Sequence, residues 1–387
     1  LLSATGVPGR AGPGRPCDPR LTVDLRGAPG SVTWRLPETE PVADAAPCVV
    51  LADRAGCAEF AVLQDTLHHL GVPSVRVDAE SVAALRLSAT VTGGAGHGRT
   101  GCVLDLDGRR IAPTVVWARH FSPHAMPATA DAAQTLLLAE SWHSFVRQLC
   151  SLAPASLPGD RPGDRPGRLE QLAGAAAAGI RVPRTVVTTD PARAAAAMPG
   201  RRVVVKVVGE HFVETSPGLL TGVLPEVAAR AEVLRRPALA YPVIVQEHVE
   251  HDAELRVYHV AGAVHAYAVG KRAPDSPWRE EAEVTVTPVA APPAAADAVR
   301  RLASLWGLTY GAFDLLLSAG EVVFLEVNTD GDWRWFETKA GGRAVSTAVA
   351  LAVRTLHLTA LGNTGPPSPL DLVDFLLLGT RTHGSGR

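Results

Sequence analysis

Residues 309–336, TYGAFDLLLSAGEVVFLEVNTDGDWRWF, constrain the fold more than any other stretch of this chain. They read as an apolar strand, a short turn at Ser318, Ala319 and Gly320, and a second apolar strand that ends in a polar loop. Asp314 interrupts the first apolar run, Glu326 interrupts the second, and Asn328 follows two residues later. Strand side chains alternate, so Glu326 and Asn328 share a face. A three-residue turn puts Asp314 on that same face opposite them, so two carboxylates and an amide converge.

Unpaired carboxylates in an apolar sheet are costly, and their mutual repulsion raises one pKa. A divalent cation would relieve both. A small set of hard oxygen ligands suits Mg2+ that keeps waters and takes further ligands from phosphates. An ordinary arrangement also fits: Asp314 solvated on an edge strand and Glu326 paired with an Arg.

Composition narrows the classes. A net charge of -2 over 387 residues argues against recognition of nucleic acid or an anionic membrane by bulk charge. No apolar run reaches the length of a membrane span, and the opening LLSATGVP is too short for a signal-peptide core. The five cysteines, Cys17, Cys48, Cys57, Cys102 and Cys150, have no CxxC spacing, which favours reduced thiols over disulfides or a zinc site. A cytoplasmic protein is expected. The thirteen histidines form no HExxH, and His248 with His251 falls in a loop-like segment. Lys occurs only at 206, 271 and 339, so each Lys invites a specific reason, with chance as the alternative.

Taken in order, residues 1–44 are rich in Gly, Pro and Arg and read as a mobile arm with one possible edge strand, LTVDL. CVVLA, AEFAVLQDTLHHLG and SVRVD then predict a βαβ opening with a helix stopped by Gly71, and hence a parallel sheet. CVLDLDGRRIA reads as a hairpin about Asp107 and Gly108, and TVVWARH as another strand. GHGRTG at 96–101 matches GxGxxG but opens no helix, which rejects a dinucleotide site; no Walker loop is present. A helix is expected over about 130–149. Residues 157–168 repeat GDRP and read as a linker. LEQLAGAAAAGI predicts a helix ending at Gly179, RVPRTVVTT an extended segment, and RRVVVKVV a strand in which Lys206 meets an anion or snorkels from an edge. Residues 209–222 read as a glycine-containing loop able to fold over phosphates, and about 225–234 as a helix. PVIVQEHVE predicts a strand and exit. ELRVYHVAGAVHAYAVGKR predicts a hairpin turning near Gly262, with Arg256 in either a cross-strand ion pair or a ligand contact.

These blocks carry a resemblance. VVVKVV, VIVQEHVE, ELRVYHVAG, SPWRE, GAFDLLL and FLEVN, in that order, resemble the ATP-grasp superfamily. Within it the chain is most similar to the ATP-grasp maturases of ribosomal peptides, the graspetide or microviridin-type synthetases, and next to ribosomal-protein glutamate ligases. The likeness covers roughly 45–355 and includes TVVWARHFSP and RLEQLAGAAAAGIRVPRT. It implies an α/β (α+β) ATP-grasp fold with ATP between two sheets. The implied domains are a pre-ATP-grasp domain at 45–156, the linker at 157–168, a central subdomain at 169–245 with phosphate loop and leader-peptide site, a C-terminal subdomain at 246–358 with the metal site, and a tail at 359–387.

The resemblance also implies roles. Lys206 contacts the ATP phosphates. Gln246, Glu247, His248 and Val249 form the hinge whose backbone reads adenine. Glu254 holds the ribose. Arg256, Lys271 and Arg279 act near the γ-phosphate and acyl group. Asp314, Glu326 and Asn328 bind Mg2+. The family's usual Asn-Lys pair at the start of the central helix is replaced by Gly167 and Arg168, and Arg differs from Lys in reach. TDGDWRW replaces the commoner Asn-Pro-Asn-Gly loop.

The function so implied is ATP-dependent activation of Asp or Glu side chains of a precursor peptide as acyl phosphates, followed by crosslinking to Thr or Ser (ester) or Lys (amide). Such chemistry needs charge neutralisation and positioning more than a protein nucleophile. A homodimer is the oligomer the family suggests. The competing functions are ligation of a free amino acid to a peptide or small acid, and a non-catalytic scaffold binding nucleotide and leader peptide.

Overall fold

This computed structural model describes residues 45–92, 101–159, 165–209, 212–216, 219–271 and 284–362. The expected arm at 1–44, most of the GHGRTG string, residues 160–164 of the GDRP repeat, Arg279 in the SPWRE string and the tail beyond 362 lie outside them.

The βαβ opening forms as expected. β1 (Ala46–Asp53) and β2 (Ser74–Asp78) are parallel, and α1 (Ala58–His69) connects them. Gly71 follows α1 with φ +68°, a conformation that ends a helix and favours glycine. β3 (Leu87–Thr92), β4 (Gly101–Leu106) and β5 (Arg109–Ala118) extend the sheet, which runs β2-β1-β5-β4-β3. Asp107 and Gly108, both at positive φ, turn β4 into β5.

One expectation is corrected here: the second arm of that hairpin and TVVWARH are a single strand, β5. The strand continues through Pro113 because a register shift at Cys48/Val49 leaves Thr114 as an extra residue. The Thr114 hydroxyl then contacts Cys48 O at 3.1 Å and His357 Nδ1 at 2.8 Å. α2 (Ala132–Leu152) begins at Asp131, whose carboxylate accepts from Ala133 N, and β6 (Ala155–Leu157) returns to pair with β5.

The next stretch builds a second layer. α3 (Arg168–Ala177) ends before Gly179 at φ +73°. β7 (Thr185–Thr188), α4 (Pro191–Ala196) and β8 (Arg202–Val207) follow. Residues expected to form a phosphate loop instead contain the antiparallel hairpin of β9 (Phe212–Ser216) and β10 (Leu219–Gly222). Most of the expected helix at 225–234 is replaced as well. Glu226–Ala229 is β11, which satisfies its backbone against β8, and only Arg230–Val233 is helical (α5). With β12 (Val243–Glu247) the sheet runs β11-β8-β12-β7, so β8 is an interior strand.

The third layer is antiparallel: β15-β14-β13-β16-β17. It contains β13 (Ala253–Val260), β14 (Ala263–Lys271), β15 (Val284–Val289), β16 (Tyr310–Ser318) and β17 (Glu321–Asn328), with α6 (Pro293–Leu305) before β16. The chain continues through α7 (Arg334–Ala340) and α8 (Ala344–Ala360). The β13–β14 hairpin turns at Ala261 and Gly262, both at positive φ, as expected.

The two faces of this sheet have different neighbours. Leu255, Val257, Phe313, Leu315, Phe324 and Val327 pack with α3 and α6. On the opposite face Tyr258, Tyr310 and Ala312 join Trp117, Trp333 and the apolar sides of α1 and α8. Burying each such aromatic contributes about 1.5–3 kcal/mol, so this shared core fixes the first sheet against the third. Among the described residues no helix is long and apolar enough to cross a membrane.

Candidate functional site

The acidic residues reach one face by a route different from the expected turn. Ala319 and Gly320, at φ 51° and 82°, form a two-residue turn between Ser318 and Glu321. Uninterrupted pairing from that turn would set Asp314 against Leu325 and send Glu326 and Asn328 to the helix-covered face. A register shift after Leu315↔Phe324 makes Leu325 the extra residue. Asp314 therefore stands opposite Glu326, and Ala312 opposite Asn328.

The polar patch lies between two apolar ones on the same face. At one end are Tyr258, Tyr310 and Ala312; at the other Val249 packs on Leu316 and Val323. Asn328 Nδ2 donates to Asp314 Oδ2 at 3.3 Å.

Each carboxylate has cationic partners. Arg256, directly opposite Asp314 on β13, places Nη1 2.8 and 2.7 Å from its two oxygens. Glu326 Oε2 lies 3.1 Å from Arg168 Nε and 3.4 Å from Lys206 Nζ. The ordinary alternative holds in part, since Glu326 does pair with an Arg, but β16 is an interior strand, and buried Lys206 comes from an interior strand rather than snorkelling from an edge. Ion pairs and the convergence of oxygen donors coexist here.

Arg168 occupies the first turn of α3, where Glu170 Oε2 accepts from Gly167 N at 2.6 Å. From there its Nη1 also reaches the carbonyls of Val207, Val208 and Gly209 at the end of β8. Arg168 is thus brought to Glu326. Val203 and Val205 face the α4 side of their sheet, so Lys206 falls on the other face beside Ile244. Gln246 lies on that face too, and its Nε2 donates to Thr185 Oγ1 at 2.8 Å.

Electrostatics favour a cation at the carboxylates. Burial pushes the Asp314 carboxyl up to about 6; Arg256 opposes this and the Glu326 charge reinforces it. The Arg256 guanidinium is held above its usual range: burial disfavours its charge, but Asp314 and Tyr258 together outweigh that. Among the described residues no three of His, Cys, Asp and Glu are placed to hold a metal ion by themselves. The set is two carboxylates plus one amide, all hard oxygen donors, which suits Mg2+ completed by other ligands. Asp314, Glu326 and Asn328 fit that ion; with it bound, Lys206, Arg168 and Arg256, which here pair with the two carboxylates, would be released toward other anionic groups.

Other expected site residues are placed as follows. Glu247 closes β12: its N–H donates to Arg184 O at 2.8 Å, and its carboxylate accepts from Arg184 N at 3.0 Å. His248 and Val249 link the second sheet to the third. The His248 side chain is 6% exposed, its Nδ1 is 3.4 Å from Glu250 Oε1, and burial lowers its pKa. Glu254 lies two residues before Arg256 and forms an ion pair with Lys271 at 2.8 Å. That pair lies on the strand that carries Arg256 and on its neighbour β14.

The sequence reading missed the support beneath the site. Arg119, just past β5, has a fully buried side chain that donates to Asp332 Oδ1 at 2.6 Å and Asp330 O at 2.7 Å. Its guanidinium lies between the rings of Phe60 and Trp333, at 5.5 and 5.0 Å. Tyr310 OH donates to Gly331 O, and Tyr258 OH to Asp332 O at 2.5 Å. Gly331 packs so closely that a Cβ there would come within 3.1 Å of Arg256 Nη2. TVVWARH and TDGDWRW were visible as strings, but nothing local paired them.

No family model and no curated protein sequence matches the chain. Solved structures do match. The macrocyclase MdnC of Microcystis aeruginosa, bound with precursor peptide MdnA, has a TM-score of 0.62 and 17% identity, covering 79% of this chain and 99% of its own. A RiPP-associated ATP-grasp ligase of Chryseobacterium gregarium, in complex with ADP and a leader and core peptide, has a TM-score of 0.63 and 19% identity, covering 80% and 97%. The ATP-grasp ligase PsnB, complexed with a minimal-precursor variant, Mg and ADP, has a TM-score of 0.59 and 20% identity, covering 81% and 99%. The chain has the ATP-grasp fold, as its sequence blocks led one to expect.

Proposed function

We propose that this chain is an ATP- and Mg2+-dependent carboxylate ligase that crosslinks acidic side chains of a ribosomal precursor peptide to Thr or Ser hydroxyls or to a Lys amine. The observation that carries this reading is the convergence of Asp314, Glu326 and Asn328 with Lys206, Arg168 and Arg256 between two sheets of an ATP-grasp fold. Solved neighbours with that fold hold ADP, Mg and precursor peptide, which supports the same ligand classes here.

When bound, ATP with Mg2+ supplies the phosphoryl group that activates a carboxylate. In this reading the two carboxylates and the amide hold the cation, and Lys206 and Arg168 face the phosphates. Arg256, already aimed at a carboxylate, orients the substrate acid and offsets its charge. Lys271 supports that position through Glu254. Arg279 belongs to the proposed machinery on resemblance alone, and so does adenine recognition by the backbone at 246–249. No side chain needs to act as nucleophile, since the peptide brings its own. The domain limits at 45–156, 169–245 and 246–358 are proposed with the same reading, as is a cytoplasmic homodimer.

The test is incubation with ATP, Mg2+ and a precursor peptide encoded beside this chain. The expected result is ADP release with loss of one water mass per crosslink. A gain in peptide mass would point to addition of a free amino acid instead, and peptide binding without ATP consumption to a scaffold.

A further inference from the structure

A cavity of about 300 Å3 lies beside the loop that follows Asn328, on its Arg119 and Arg165 side. Arg119, His143, Arg147 and Arg165 line it, no acidic residue does, and Trp306 and Leu157 supply apolar wall. Two of the cations are already committed. Arg119 holds Asp332 and Asp330 O, and Arg165 holds the Asp330 carboxylate and Ala118 O. Even so, the Arg119 Nε–H is buried and has no partner among the described residues.

Arg147 and His143 are the uncommitted pair. They sit four residues apart on α2 and so share a side of the helix. Among the described residues neither side chain makes a hydrogen bond or an ion pair. A cavity with apolar walls and an excess of donors selects a carboxylate carried on a short apolar stem.

We propose that this cavity is a second carboxylate subsite, separate from the Asp314–Glu326 site, that takes an acidic side chain of the peptide substrate. Arg147 and His143 receive the carboxylate, and Trp306 and Leu157 cover its methylenes. This rests on the reading of the chain as a ligase of acidic peptides. A subsite here would hold a neighbouring acidic residue of the peptide while another is presented to Arg256.

The proposal is tested by calorimetry on the full chain with Ac-Glu-Glu-Glu-NH2, the neutral Ac-Gln-Gln-Gln-NH2 and free glutarate. The glutamyl peptide is expected to bind and the neutral peptide not. The double variant Arg147→Ser, His143→Gln, altered only on the α2 surface, is expected to weaken glutamyl-peptide binding by roughly tenfold or more. The variant is expected to leave Mg2+-dependent ATP binding unchanged. Absence of glutamyl-peptide binding, or equal binding by variant and parent, overturns the proposal. Glutarate binding as tightly as the peptide overturns it too, since the cavity would then serve a free acid. Failure of the parent chain to bind ATP with Mg2+ would sink the ligase reading and leave these outcomes legible.

Discussion

Arg256 and Asp314 stand directly opposite each other on adjacent strands, with one guanidinium nitrogen 2.7 and 2.8 Å from the two carboxylate oxygens. The same carboxylate is the proposed metal ligand, so structure and chemistry make different demands on it. Asp314→Asn keeps an acceptor for Arg256 but not the charge that offsets its burial, and is expected to lose part of the pair's stability as well as Mg2+-dependent ATP turnover. Asp314→Ala strands the guanidinium and is expected to cost about 3 kcal/mol in addition. Urea unfolding run beside an ADP-release assay separates the two effects; equal stability of both variants would argue that the pair does not hold the sheet.

Arg119 links the first sheet to the loop after Asn328. Its loss leaves Asp53, fully buried and 3.7 Å away, without that cation. Arg119→Ala is expected to destabilise the fold by about 3–5 kcal/mol. Arg119→Lys keeps the charge but lacks the planar fork between Phe60 and Trp333, and should fall between parent and Ala. Denaturation midpoints at matched slopes check the ranking.

Gly331 has no room for a side chain. A Cβ would meet Ala312 Cβ at 2.5 Å and Asn328 O at 3.2 Å, so backbone must move. Gly331→Ala is expected to cost about 1–3 kcal/mol and to lower turnover together with Tm, because the loop that shifts follows Asn328. A variant with unchanged Tm and turnover would show that the loop yields at no cost.

His259 gives a pH dependence away from the site. It is buried on β13, accepts from Gly262 N at 3.2 Å, and burial lowers its pKa from 6.5 to about 4. Between those values the unfolded chain binds the proton and the folded chain does not. Stability from this group is therefore full above about pH 6.5 and lost as pH falls toward 4, with a span on the order of 3 kcal/mol. His259→Gln keeps an acceptor and is expected to flatten that part of the stability profile, measured by urea midpoints from pH 7 to 4.

Much of this molecule was legible from local pattern. Alternation and turn residues located the β1–α1–β2 unit, the β13–β14 hairpin and the two acidic strands, because strand faces and positive-φ turns are properties of a few adjacent residues. Weakly patterned stretches were misread. EVAA at 226–229 carries no strong preference and became β11 because β8 offered a partner, and the loop expected over 209–222 contains a hairpin for the same kind of reason.

The sequence alone determined that Asp314, Glu326 and Asn328 sit in apolar strands where charge is costly, and that Lys206 interrupts a valine run. Tertiary structure decided how they meet. The turn is one residue shorter than expected, and only the bulge at Leu325, set by pairing with β16, returns Glu326 and Asn328 to the face of Asp314. Which cation answers each carboxylate was decided the same way. Arg168 lies 158 residues from Glu326, and Arg119 lies 213 from Asp332; no local pattern encodes pairs that form only when separate sheets pack together.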